Sequence, residues 1–525
     1  MTSETYETLN KAWKQTCKII FGDEIGELKD YEDWLWRYNK PEWARRQSVS
    51  GKDVYTSIKH YCGEARFMSL DDVDFSKKYG PLGINEIKDI DSIVEALQER
   101  FVYTGNIILG NSKDVEGSSD IHNSFHVLKC CIANDSEYIA YNHISRSAKY
   151  TFGCSSTGNA HFLVGCRNST GSTRCLDSWS AMFCSDTYFC FDCDSVQDAM
   201  FSFGLKNKKN AIGNILLPRD RFAELKKKLV AELAANLKSN KSLPSLMDMV
   251  SKSSRKPDVD RSIFDDIEEK GDMKPIEDAF SETTGIILGK RLFGVDSYGK
   301  WLGRYSTPIE AVKSAVSGMK TYRGSLVPPY SQLPKDRLVR ESESRKLAEI
   351  LKMGESDIKS VKSIIDSMWK IAFFTTEFRV NVNRNLIDVP AGNASVNCYK
   401  GIYWGHNENA AFCTATRDAK YMFGCNITFL SSFCIKGYYS TNLSRAMEID
   451  CCRDCADIYF SHNCENTQNS MFCFNVKNVR NAIGNGVLPL EKYKAVKKSL
   501  LEQIVSELEK KKDLKWDIYN IGCAK

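Results

Sequence analysis

The sequence predicts an α+β chain of two tandem copies of one unit: a helical or mixed N-terminal segment, a β-solenoid and a C-terminal amphipathic capping helix. Three observations carry this. AKYTFGC at 148–154 returns as AKYMFGC at 419–425, 271 positions later, and the same offset joins LKNKKNAIGN at 205–214 to VKNVRNAIGN at 476–485. Within each copy a long stretch places small or thin residues on every third position, a rhythm foreign to both an amphipathic helix and a flat strand. Each stretch ends in Leu-Pro and a run of apolar residues at helical spacing. The resulting division is a mixed segment (1–111), solenoid (112–217), capping helix (218–238), charged linker (239–280), second mixed segment (281–382), second solenoid (383–488), and second capping helix with tail (489–525).

The first element is a helix, because Tyr6, Leu9, Trp13, Cys17 and Ile20 recur at three- and four-residue steps. DWLWRYNKPEW at 33–43 follows and is answered by KWLGRYSTP at 300–308, here at an offset of 267, so a few residues were gained or lost between blocks. A second helical face spans 87–101 through Ile87, Ile90, Ile93, Val94, Leu97 and Phe101. The three-residue frame then runs through Ser118, Ser124, Cys130, Ser136, Ala148, Cys154, Cys166, Cys175, Cys184, Cys190 and Cys193. Seven of eight cysteines in 112–204 lie on it, and eight of nine in 383–475, where chance would place a third. Short strands with regular corners explain that rhythm, and stacked rungs bury ladders of small side chains. A reduced thiol suits such a ladder because it behaves as a small hydrophobe. In the closing helices Phe222, Leu225, Leu229, Leu233 and Leu237 share a face, as do Tyr493, Val496, Leu500, Ile504 and Leu508. Such a helix covers the open solenoid edge, which would otherwise invite aggregation. The stretch at 238–280 reads as a linker with a short helix near 262–269.

Composition is that of a soluble globular protein: 42% hydrophobic, 26% charged and a net charge of +5 over 525 residues. The polar start and short apolar runs give no secretory signal and no membrane-spanning helix, so the expected location is cytoplasmic with no membrane partner. In a reducing cytosol twenty cysteines are not expected to form a disulfide framework.

The duplication tests each chemical candidate. Cys190-Phe-Asp-Cys193 and Cys452-Arg-Asp-Cys455 have zinc-ligand spacing, but Cys190 aligns with Ser461 and Cys452 with Ala181, and alanine cannot hold a metal. A three-residue frame also generates CxxC spacing by itself. No histidine recurs: His122, His126, His143 and His161 face Asn393, Asn397, Thr414 and Ser432, while His406 and His462 face Asp135 and Phe191. Isolated turn histidines are expected to face solvent. The repeated polar positions are Lys149 with Lys420 and Asp186 with Asp457, which could serve a carbohydrate-active groove or simply occupy turns. Lys206, Lys208, Lys209, Lys477 and Arg480 form basic segments able to meet an anion such as RNA phosphate. No sequence fingerprint calls for a cofactor.

The runs DAMFSFGLKNKKNAIGNILLPRDRFAELKKKL at 198–229 and NSMFCFNVKNVRNAIGNGVLPLEKYKAVKKSL at 469–500 resemble a cysteine-rich β-solenoid family of candidate-phylum bacteria and archaea that has no assigned activity. In that family a Cys-Phe-Gly-Cys ladder leads to an Asn-Lys motif and a charged helix. This chain departs by its duplication, by Ala where the family often has Tyr-Cys, and by fewer cysteines per rung. The resemblance covers about half the chain and implies fold, not activity. The functional expectation is a non-enzymatic intracellular scaffold that self-associates or binds a protein partner. The alternatives are an RNA or ribonucleoprotein-binding module and a carbohydrate-active solenoid enzyme.

Overall fold

The computed structural model describes residues 3–523 except 41–42, 84–85, 154, 159, 161–162, 166, 265–269 and 325–327. The fold is mixed α/β, with ten α-helices among the described residues. The first half contributes α1 (Glu4–Phe21), α2 (Glu32–Trp36), α3 (Ile90–Ala96), α4 (Arg219–Asn240) and α5 (Leu246–Val250). The second contributes α6 (Lys274–Leu288), α7 (Gly299–Leu302), α8 (Glu341–Ile350), α9 (Val361–Ser367) and α10 (Leu490–Lys511). No described helix is long and apolar enough to cross a membrane.

Between the helices of each half lies a ladder of short parallel strands. The prevailing pairing step is twelve: Glu137 opposes Lys149, His143 opposes Ser155, and Ser185 opposes Gln197, each twelve residues on. The second ladder keeps the step, with Glu408 against Lys420 and Leu443 against Cys455. Left-handed backbone recurs on every third residue, as at Asp120, Asn123, His126, Lys129 and Ile132. Asn and Asp tolerate that conformation, whereas an isoleucine pays about 1–2 kcal/mol for it. The packing gained at each rung must outweigh this cost.

The triplet frame points inward, and its chemistry is more specific than small size. The hydroxyl of Ser118 accepts the Cys130 N–H at 2.9 Å, Ser440 accepts the Cys452 N–H at 2.9 Å, and Cys413 Sγ accepts the Cys425 N–H at 3.4 Å. The same side chains donate to carbonyls two residues back, as Ser136 does to Asn134 and Cys452 to Asp450. Serine and cysteine therefore do one job, which explains why they interchange between the copies. The step departs from twelve in a few places: Ile108 opposes Ile121 and Phe378 opposes Ala391 thirteen residues on, and Ala391 opposes Ile402 eleven on. At Ile402–Gly405 the register shifts, Tyr403 turns into the core beside Cys398 and Cys413, and Trp404 packs outward.

α1 starts at Ser3, whose side chain accepts the Tyr6 N–H, and stops at left-handed Gly22. Its buried face covers a column of the first ladder, with Trp13 edge-on to Phe152 at 5.3 Å. Tyr188 donates to the Ile20 carbonyl (2.8 Å), and its twin Tyr459 donates to the Ile287 carbonyl of α6 (2.9 Å). The segments after these helices cross over. Residues of 79–104 pack on the end of the second ladder, where Phe101 meets Phe474 at 4.7 Å and Leu97 fills the space beside Gly484. Reciprocally, Phe374 meets Phe191 at 4.9 Å on the first ladder, and Met353 fills the space beside Gly213. Each exchanged helix is capped by the opposite half: Glu232 of α4 accepts the Val361 N–H (2.8 Å), and Gln503 of α10 accepts the Ile90 N–H (3.2 Å). The two ladders also touch side to side through Ile132, Ile144, Ala415 and Ile427.

Two expectations change. The helix read over 87–101 is only Ile90–Ala96, because Asp89 and Ser92 form a capping box at its start; the flanking apolar residues serve the exchange contact instead. The stretch read as a core-poor linker contains Leu243, Leu246, Met249 and Val250, all buried in the first core, and α6 begins at Lys274 within it. The 3-10 turn Arg261–Ile263 is present, while most of the helix expected near 262–269 falls outside the described residues.

Candidate functional site

A buried polar constellation lies where three parts meet: the second ladder, the exchanged segment of the first half, and residues 513–523. His462 and Asp450 stand one rung apart, fully buried, with Nδ1 2.8 Å from Asp450 Oδ2. The backbone N–H of Thr104 donates to His462 Nε2 at 2.8 Å, so the ring proton sits on Nδ1 and is donated to Asp450. Asp450 further accepts the hydroxyls of Tyr61 (2.9 Å) and Tyr519 (3.4 Å) and lies 3.6 Å from the Cys451 thiol.

Asp450, Cys451 and His462 bring ligand atoms within 4.8 Å of one another, the geometry of a metal centre. A metal on Nδ1 would displace the proton given to Asp450. It would also force a proton onto Nε2, facing the Thr104 N–H. The residues fit a closed hydrogen-bond network better than an ion site. His462 is thus not the solvent-facing turn histidine expected, because both ring nitrogens find partners inside. His143 is also buried, and His161 is outside the described residues.

Beside this network a second one holds the segment 513–523. Lys436 and Glu448, one rung apart and both fully buried, pair at 2.8 Å, and Lys436 also lies 5.5 Å from the Trp301 ring centre. Burial raises the Glu448 carboxyl to about 7 against the opposing pull of Lys436. Glu448 also accepts the Ile518 N–H at 3.2 Å. Asp517 is held by Arg304 at 2.8 Å and by the Tyr305 hydroxyl at 2.7 Å. Cys62 and Cys523 form a disulfide with Cα atoms 6.3 Å apart, off the triplet frame. Among the described residues it is a single staple, not a framework.

At the positions of Asp450, His462 and Tyr103 the first half is apolar, although Glu448 has a buried carboxylate twin in Asp177. Trp179 stands for Asp450, Phe191 for His462 and Phe374 for Tyr103, while the ring geometry is kept: Phe191–Phe374 and His462–Tyr103 are both edge contacts, at 4.9 and 5.3 Å.

The sequence-predicted residues lie elsewhere, on the outer columns. Asp186 is held by both nitrogens of Arg174, and Asp457 by Arg445, at 2.6–3.1 Å. The arginines were missed, although they obey both the twelve-residue step and the 271-residue offset. Lys420 pairs with Glu408 at 2.7 Å; Lys149 lies in a first-ladder strand, its side chain outside the described part. Lys206 pairs with Asp194 (3.1 Å), Lys477 with Glu465 (3.0 Å), and Arg480 donates to Gln468, whereas Lys208 and Lys209 are exposed. These pairings one rung apart weaken the cationic field that an RNA backbone would meet. Cys190, Cys193, Cys452 and Cys455 are buried, and their thiols donate to backbone carbonyls. Burial pushes the frame thiols of Cys130 and Cys473 up to about 12, so they stay protonated. Compared with known proteins, the chain matches no family model, no curated protein and no solved structure.

Proposed function

We propose that the chain is a non-enzymatic intracellular scaffold acting through protein–protein contacts, self-association first, and that each ladder is a β-solenoid of twelve-residue coils. A coil of four three-residue sides accounts together for the register of twelve, the left-handed residue at every third position and the inward frame. Most of the described cysteines lie outside any disulfide, which suits a reducing compartment.

One observation carries the function: the two ladders already join side to side within one chain, through Ile132, Ile144, Ala415 and Ile427. Ladder sides of this sequence are therefore competent association surfaces. On an outer column, Phe183 and Leu430 stand 60% and 59% exposed, at equivalent columns of the two ladders. Most neighbouring polar groups are paired one rung apart, so these apolar side chains are the ones that gain from a partner. Light scattering across micromolar concentrations tests the reading. Assemblies larger than one chain are expected, diminished by Phe183→Asp with Leu430→Asp; a monodisperse monomer throughout overturns it.

A further inference from the structure

The segment 513–523 is held as a peptide ligand is held. Its main chain is read by hydrogen bonds from three sides. The Cys62 N–H donates to the Tyr519 carbonyl (3.1 Å), the Tyr103 hydroxyl to the Ile518 carbonyl (2.7 Å), and Gln98 Nε2 to the Ile521 carbonyl (2.7 Å). Tyr519 is its anchor, buried among the rings of Tyr61, Tyr305 and Tyr438 at 4.9–5.3 Å. Asp517 in the grip of Arg304 fixes register. The segment turns at 518–520 and ends in the 3-10 turn Ile521–Cys523, so it is held as a folded loop: backbone bonds supply affinity, a ring pocket specificity and one charge pair register.

Both halves of the chain build this slot, and the disulfide closes it. Unlike the sixteen buried thiols, Cys62 and Cys523 are partly exposed, within reach of a cellular dithiol. The corresponding segment after α4, through Leu243, Leu246, Met249 and Val250, packs without any thiol. The closure therefore serves one half alone.

We propose that this slot is a peptide-binding site latched by Cys62–Cys523, and that reduction opens it to the same segment of a second copy of the chain. The inference rests on the self-association reading and gives it a partner segment and a control. A dithiol attacks the bond, passes through a mixed disulfide and leaves as its own disulfide. Two electrons and two protons end on the thiols of Cys62 and Cys523. A disulfide oxidant reverses the step, and the new bond forms within a chain or between two. The tethered segment competes at an effective concentration on the order of millimolar, so exchange needs copies held close together, the condition an assembly provides.

The test mixes full-length protein made with light and heavy nitrogen, reduces it with dithiothreitol, reoxidises it with oxidised glutathione and sequences the cross-linked peptides. Exchange gives Cys62–Cys523 peptides carrying one light and one heavy partner, well above the never-reduced control; mixed peptides at the control level overturn it. Independently, a fluorescent peptide of residues 513–523 with Cys523→Ser should bind the Cys62→Ser/Cys523→Ser protein and not the oxidised wild type. Tyr519→Ala in the peptide should weaken binding about thirtyfold, the loss of a buried aromatic anchor. Equal binding to both proteins, or to neither, also overturns the proposal. Unchanged light scattering in both redox states with no mixed peptides removes the latch and leaves the scaffold reading standing. Mixed peptides from a protein otherwise monomeric do the reverse.

Discussion

Cys425 decides what the cysteines are for. Its thiol is fully buried, accepts the Gly437 N–H at 3.4 Å and donates to the Cys434 carbonyl at 3.4 Å. Replacing it by alanine removes the acceptor of the buried Gly437 N–H, which costs about 1–3 kcal/mol. Loss of the sulfur's buried surface adds ~1 kcal/mol. Cys425→Ala should therefore lose about 2–4 kcal/mol. Serine keeps both a donor and an acceptor in the place where Ser440 and Ser461 already do the same work, so Cys425→Ser should lose only ~1 kcal/mol. Valine fills the space but accepts nothing, and should fall with alanine. Urea unfolding midpoints of the three variants, taken in the presence of a chelator, measure the order. If serine and alanine unfold at the same midpoint, or serine unfolds first, the hydrogen-bonding account of the frame is wrong.

Three further outcomes follow from the geometry. Leu97→Ala empties a fully buried site in the exchanged segment and should cost about 2–5 kcal/mol. Hydrogen exchange should rise around Gly484 and α10 as well as in the segment itself, and a loss confined to residues 79–104 would contradict the exchange. Glu448 keeps its proton up to about pH 7 in the folded chain, whereas an unfolded glutamate releases it near 4.5, so the folded state binds more protons between those values. Stability should fall on the order of 3 kcal/mol as pH rises through that window, and Glu448→Gln should flatten the slope seen in thermal melts. Arg445→Ala removes a partly exposed pair with Asp457 and should cost no more than ~1 kcal/mol in urea, a value that a larger loss would refute.

What the sequence disclosed is what repeats. The inward frame was visible because Cys130, Cys154 and Cys166 fall three or multiples of three apart and the second copy keeps the phase. The helix faces at Leu225–Leu229 and Leu500–Ile504 were visible because burial on one side imposes a helical period. The twelve-residue step was present too, in Arg174 with Asp186 and Arg445 with Asp457, but a charge pair across rungs has no signature until the rung length is known. The crossing of residues 79–104 and 351–374 was not legible. Leu97 and Met353 look like any core residues, and nothing local says which of two equivalent ladders they will cover. Periodicity reports which face is buried, not against whom.

The polar slot escaped for the opposite reason. Comparing the copies favours positions that recur, and Asp450 and His462 do not: their twins are Trp179 and Phe191. The same ring contacts survive in both halves, 4.9 Å for Phe191 with Phe374 and 5.3 Å for His462 with Tyr103. Ring packing alone thus satisfies the fold at this place. The buried carboxylate of Asp450 and imidazole of His462 add a desolvation cost that Trp179 and Phe191 avoid, although the first half keeps buried carboxylates of its own at Asp177, the twin of Glu448, and at Asp192, paired with Arg345. Two identical apolar sites would have been the cheaper outcome for stability. The second half instead keeps an array of donors and acceptors that matches the turned segment 513–523, and adds a bond that can be opened. On the proposal that this is a binding slot and not a core, that pairing of cost and controllability would put the functional difference between the halves at Asp450 and His462.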